Sequence, residues 1–174
     1  MATNQIPEII NAFNVYHGGN KFLGISGAVT LPSMDAITET ISGAGILGEY
    51  ETAVPGHFGS MEQEVPFRIL EQDAFSIMDM NSNVDLTFRA SEQSTIKSSG
   101  TLVYSGMRIV ERGRFKGFTP GTLENGKAMN GTVKLEVLYY LVEIDKKVVV
   151  ELDKLNSIFK VNGVDMLAKV RSFS

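Results

Sequence analysis

Along residues 133–155, VKLEVLYYLVEIDKKVVVELDKL, the apolar positions change sides partway. Val133, Leu135, Val137, Tyr139 and Leu141 hold the odd positions, which then become Glu143 and Asp145. The even positions start polar at Lys134 and Glu136 and turn apolar at Leu138, Tyr140, Val142 and Ile144. Strand side chains alternate faces with period two, so the pattern predicts two strands around a short turn. Its middle, Val137, Leu138, Tyr139, Tyr140, Leu141 and Val142, is apolar on both faces and is expected in a buried layer. Residues 60–67 alternate more simply. Met61, Val65 and Phe67 lie on one face and Ser60, Glu62 and Glu64 on the other, the signature of a half-wet strand.

Residues 22–31, 36–41, 84–92 and 101–116 are further β runs, and Leu70, Ala74, Ile77 and Met78 at helical spacing predict a helix over 70–80. Residues 42–60, carrying Gly43, Gly45, Gly48, Pro55, Gly56 and Gly59, read as a long loop. The Asp145-Lys146-Lys147 turn lacks the glycine that two-residue hairpins prefer at positive φ. Asn162-Gly163 marks another turn, and Asp165 is a candidate cap for a short final helix. The order is mostly β with one mid-chain helix, in a single domain over residues 1–174.

Composition narrows the function classes. A chain of 174 residues, 43% apolar and 21% charged, is long enough for one well-buried core. The absence of cysteine excludes a disulfide framework, a thiol nucleophile and a cysteine metal cluster, and fits assembly in a cytoplasm. MATNQIPEII has no basic segment followed by a long apolar run, and no stretch approaches the roughly 20 apolar residues that span a bilayer, so a soluble protein is expected. The net charge of −4 conceals an asymmetry: residues 1–87 hold eleven acids and two bases, residues 88–174 nine acids and fourteen bases. If the halves interleave, the split carries no meaning. If they do not, an acidic end and a basic end favour head-to-tail contact between copies, which makes rings or filaments.

Candidate chemistry is thin. GAGILG at 43–48 matches the dinucleotide fingerprint, with Glu64 near the expected acidic position, but Pro55, Gly56 and Gly59 bar the helix that would face a pyrophosphate. In GMRIVERGRFKG, Arg108, Arg112, Arg114 and Lys116 share one strand face over about 26 Å at roughly 3.3 Å per residue. With an acidic chain and no stacking signature, this stripe points to carboxylates within the protein or across a subunit contact rather than to specific nucleic-acid binding. His17 and His57 have no metal-ligand spacing, and Glu62 with Glu64 on an open face is no acid–base pair. No catalytic, cofactor or metal residue is expected.

LYYLVEIDKKVVVELDKLN, with RGRFKGFTPGTLENGKAMNGTVKLEV before it and IFKVNGVDMLAKVR after it, resembles the major tail tube protein family of contractile-tailed bacteriophages. That family includes the tube proteins of R-type bacteriocins. The likeness extends upstream through GSMEQEVPFR and GAGILGEYE to about residue 35. It departs at Asp145-Lys146, where the family commonly has Asp-Gly, and this puts the turn type in question. The resemblance implies a mainly β (α+β) fold, a β-sandwich or barrel with one flanking helix and long extended loops. It also implies hexameric rings whose inner strands join edge to edge and which stack into a hollow tube.

The expected partners are further copies of the chain, the tail sheath protein, baseplate and tail terminator proteins, and DNA in transit if the particle is a phage. The expected place is a virion tail or an extracellular tail-like particle assembled in a bacterial cytoplasm. On this picture Glu49 and Glu51 in the glycine-rich loop meet basic residues of another subunit, Arg112 and Arg114 being candidates, while Ser60, Glu62 and Glu64 give the bore an acidic wall. A monomeric β-barrel that binds a small ligand is the alternative, and a ring component of a related secretion apparatus is a third reading.

Overall fold

A computed structural model describes residues 4–22, 24–25 and 27–173, with the side chain of Asp73 left aside. Among the described residues, nine strands form an antiparallel sheet in the order β11-β10-β9-β8-β7-β6-β1-β2, with β5 on the edge of β8. Its centre is built from long strands: β1 (Gln5–His17), β6 (Val84–Ile96), β7 (Leu102–Thr119) and β8 (Gly131–Ile144). Short strands close the ends: β2 (Asn20–Lys21), β9 (Lys147–Asp153), β10 (Ile158–Val161) and β11 (Val164–Asp165). The first half of β8 pairs with β5 (Glu62–Phe67) and its second half with β9, so the sheet divides along one edge.

One core lies against this sheet. Val65, Phe67, Leu86, Phe88, Ile109, Val133, Leu135 and Val137 are buried in it, and Phe22, Ala74 and Ile77 cover it. The expected Met61, Val65 and Phe67 face is the core face, and it includes Gln63, fully buried, whose amide donates to the carbonyls of Thr30 (3.0 Å) and Glu64 (2.6 Å). The bond to Thr30 ties the segment that follows Gly27 over the core. The 22–31 run is therefore not the strand expected. It is irregular, with one isolated bridge between Ile25 and Phe67, and Leu23 and Ser26 lie outside the described residues.

The oily middle of β8 has a local cause. Arg112 of β7 pairs with Tyr139 and Gly113 with Val137, which leaves Leu138 as the extra residue of a bulge. A bulge moves the alternation by one place. Val133, Leu135 and Val137 therefore face the core before it, and Tyr140 and Val142 after it. Val137, Tyr140 and Leu141 are buried, while Leu138, Tyr139 and Val142 are half-buried. On the other face, Arg112 lies over the Tyr139 ring at 4.8 Å, and Val110 stands opposite Leu141 beside the Arg108–Glu143 pair. The chain's own long polar side chains thus cover much of the second apolar stripe.

The hairpin at 144–147 keeps its two-residue turn. Asp145 (φ 49°) and Lys146 (φ 65°) both adopt the left-handed region of a type I′ turn. Asp145 is held there by Gly106, whose N–H donates to the carboxylate (3.1 Å) and whose carbonyl accepts from the Asp145 N–H (2.9 Å). Asn162-Gly163 makes the same kind of turn between β10 and β11 with the residues it prefers.

The helices are shorter than expected. The 70–80 pattern yields only α1 (Gln72–Ser76), and the final helix is α2 (Ala168–Arg171). Asp165 does not cap α2 directly; its carboxylate accepts from the Leu167 N–H (2.9 Å) and pairs with Arg171. No helix among the described residues is long and apolar enough to cross a membrane.

Residues 42–60 correct the sequence reading most. Instead of a loop, they belong to a hairpin in which β3 (Ala36–Ser42) pairs with β4 (Glu49–Phe58) apart from the main sheet. Gly43, Gly45 and Gly48 all take positive φ at its tip.

Candidate functional site

No helix follows GAGILG, which forms the tip of the β3–β4 arm, so the dinucleotide geometry is absent at that motif. Groups of three or more histidines and acids able to hold a metal are lacking among the described residues. What the structure presents is surface of three kinds: a charged sheet face, a free-standing arm and an open strand edge.

The charged face lies opposite the core on β5, β8, β7 and β6. Glu64 stands across from Lys134 and Glu62 across from Glu136, an unfavourable like-charged pair by itself. Lysines resolve it. Lys134 lies 2.7 Å from Glu64 and 2.8 Å from Glu62. Lys116 lies 3.1 Å from Glu62 and 3.2 Å from Glu136. Lys154 continues the chain at 3.6 Å from Glu136, and Ser60 donates to Glu136 while accepting from Lys116 (3.0 Å).

Acid and base thus alternate across three strands. Lys134, then Lys116, holds the Glu62 carboxyl below the usual carboxylate range, and the same carboxylates raise both lysines. A lowered carboxylate stabilises the fold above its unfolded pKa and loses that contribution as pH falls through the folded one, so this ladder weakens in acid and in high salt.

The stripe expected on β7 is on one face, and three of its four members find carboxylates within the chain. Arg108 reaches Glu143 (2.6 Å), Arg112 reaches Asp85 (2.8 Å) and Lys116 reaches Glu62 and Glu136. Arg114 is exposed and has no ion pair among the described residues. Two expectations change here. The strand of Ser60, Glu62 and Glu64 carries a charge-balanced face, because Lys134 and Lys116 were drawn onto it by strand register. Part of the split between the chain halves is likewise satisfied internally, since Asp85, Glu62 and Glu64 from the first half pair with bases of the second.

The acids of the β3–β4 arm take no part in this ladder. Glu39, Glu49 and Glu51 are exposed on the arm with no ion pair among the described residues, alongside Ile37, Leu47 and Tyr50, which are also exposed. Its root is fixed. Phe58 packs edge-on to Phe159 at 5.0 Å, and the Gly59 N–H donates to Asp35 (3.0 Å). Gly56 (φ 75°) sits so close to Leu167 that a Cβ there would lie 2.7 Å from its Cδ2. Beyond the root, β3 and β4 are exposed on both faces for most of their length.

The edge of β1 is the feature sequence reasoning missed. One side of β1 pairs with β6 along its whole length, while on the other only Tyr16 and His17 meet β2. From Gln5 to Asn14 that second edge has no strand partner among the described residues, and Ile6, Ile9 and Ile10 are half exposed on it. An open groove of about 750 Å³ runs beside it, lined by Ile10, Phe13, Val15, Phe22, Ile25 and Val29. A long edge with apolar side chains is a template for pairing with another chain.

With this geometry established, comparison decides the family. The family described as Phage tail tube protein FII matches residues 7–173. The chain belongs to that family. It is 27% identical to the tail tube protein of Escherichia phage P2 over 95% of this chain and 96% of that one. It is also 27% identical to the major tail tube protein of Serratia phage KSP20, over 92% and 91%.

A solved structure, the sheath/tube terminator of an extracellular contractile injection system (PVC) in its extended state, shares the fold. The TM-score is 0.53 at 12% identity, over 79% of this chain and 97% of that one. The family resemblance seen in the sequence is therefore borne out, and so is the mainly β tube-protein fold. As a tail tube family member the chain is a structural protein of phage-type tails, not an enzyme.

Proposed function

We propose that this chain is the inner tube subunit of a contractile tail, forming hexameric rings that stack into a hollow tube. One observation carries the reading: the β3–β4 arm stands clear of its own core. A two-stranded hairpin alone is at best marginally stable in water, and this one exposes Ile37, Leu47 and Tyr50 together with unpaired acids. A neighbouring copy supplies both the missing apolar cover and the missing cations. Within a ring, the open edge of β1 at one end of the sheet takes the β10–β11 end of the next subunit, a head-to-tail contact that closes on itself. The charge-balanced face of β5 and of the part of β8 paired with it then lines the bore, where ion pairs already satisfied within the subunit hold passing DNA weakly.

The sheath protein contacts the outer wall, and baseplate and terminator proteins cap the ends. The tube passes DNA in a phage, or punctures a membrane and conducts ions in a bacteriocin, after assembly in the bacterial cytoplasm. The test is charge reversal. Glu49→Lys with Glu51→Lys is expected to leave the subunit folded and to raise the concentration needed for tube growth at least tenfold, with Arg114→Glu restoring part of the growth. Arg114 is the better partner than Arg112, which Asp85 already occupies. Growth at the wild-type concentration in the double variant removes the arm from the contact.

A further inference from the structure

Glu111 has no part in any of these surfaces. Counting along β7, it belongs to the face of Ile109 and Gly113, which is the core face, and it is 2% exposed. Neither of its carboxylate oxygens has a hydrogen-bond partner among the described residues. Leu86 of β6 and Tyr140 of β8 stand directly across from it, and Leu152 of β9 is next beyond Tyr140. The charged groups nearby on these strands, Asp85 and Arg89 on β6, Arg112 on β7, and Glu151 and Asp153 on β9, alternate onto the opposite face. Among the described residues of the paired strands, Tyr140 is the titratable group that faces it, and the side chains packed into this core from outside those strands, Phe22, Met61, Ala74 and Ile77, carry no charge. A buried carboxylate without donors costs far more than a buried neutral acid. An acid paired with a cation has the opposite preference, for its charged form.

We propose that Glu111 is a protonation-gated element of the subunit wall, packed in the core as the neutral acid and driving β6, β7 and β8 apart when its proton is lost. Burial pushes the Glu111 carboxyl up to about 8, and burial, then the nearby Glu111, pushes Tyr140 up to about 12. The sign is fixed by linkage. A group whose pKa is raised on folding gives its full stability below the unfolded value and loses it as pH rises through the folded one. For Glu111 that window runs from the ordinary 4.5 to about 8. The folding constant should therefore fall on the order of a thousandfold across it for this group. The consequence for tube growth, a loss of rods under alkaline conditions, rests on the tube reading; the wall device does not.

The experiment is thermal unfolding of the wild-type chain and of Glu111→Gln between pH 5 and 9.5, with the Glu111 side-chain carboxyl followed by carbon NMR in the wild type. The expected result is a wild-type midpoint that falls relative to Glu111→Gln as pH rises, together with a carboxyl resonance titrating well above pH 6. Parallel midpoint curves, or a carboxyl titrating in the ordinary range near pH 4 to 5, overturn the proposal. Should Glu111→Gln fail to fold, the wild-type resonance alone decides. A wall that titrates as expected in a protein that never forms rods removes the tube reading and leaves this one standing.

Discussion

Gly113→Ala will destabilise the subunit by about 3 kcal/mol or more, because the new methyl has no place to go. Gly113 faces the β8 bulge, and a Cβ built on it lies 2.2 Å from the Glu136 carbonyl oxygen and 3.0 Å from its carbon. Both are backbone atoms of the central strand pair. No rotamer relieves the clash, so β7 and β8 must separate where Arg112, Gly113, Val137 and Tyr139 set the register. The control lies on the same strand. At Gly117 the nearest atoms to an added Cβ are those of the Lys134 side chain at 3.9 Å, ordinary contact, and Gly117→Ala should change stability by no more than about 0.5 kcal/mol. Urea unfolding of the two variants separates them; coincident midpoints would mean that the bulge geometry is not as described.

The second large effect is on assembly. Removing residues 38–53 and joining the ends with two glycines should abolish tube growth while leaving a folded body. Among the described residues, the contacts that anchor the arm lie at its root, Phe58 on Phe159, Gly56 against Leu167, and Gly59 on Asp35 and Lys154, and all of them lie outside the deletion. Pelleting at concentrations where the intact chain polymerises, alongside circular dichroism, reads both halves of the expectation. A shortened chain that still pellets as rods shows that the arm is dispensable. One that unfolds shows that the root is not where its anchoring ends.

Why some elements were legible in the sequence and others not comes down to bulges and glycines. β5, β6, β7 and β8 show alternating runs and β9 a short valine-rich one, and their positions were read to within a few residues. β1 is equally long but carries irregularities between Pro7 and Ile9 and between Ile10 and Ala12. Each shifts the period by one place, so Ile6, Ile9 and Ile10 follow no two-residue rhythm, which starts only at Phe13 and Val15. The Leu138 bulge produced the opposite illusion in β8, a strand apolar on both sides.

The 36–41 run is β3 as expected, whereas glycines at the arm's tip and Pro55-Gly56 near its root made the returning strand look like a loop, because the segment between them, EYETA, is short and largely polar. For the site, alternation placed Arg108, Arg112, Arg114 and Lys116 on one face correctly. Their partners depend on cross-strand register, which no local pattern encodes, and so an acidic wall was expected where Lys134 and Lys116 neutralise Glu62 and Glu64. Glu111 was within reach of the same rule. An acid in phase with Ile109 on an otherwise apolar face is a signal available from the sequence alone.

Electron microscopy of the purified chain, concentrated stepwise at neutral pH, tests the central claim most directly. Hollow rods of stacked six-membered rings, with the arm of each subunit seated on a neighbour, are the predicted result. Separate compact particles at every concentration, with no rings and no rods, would contradict it.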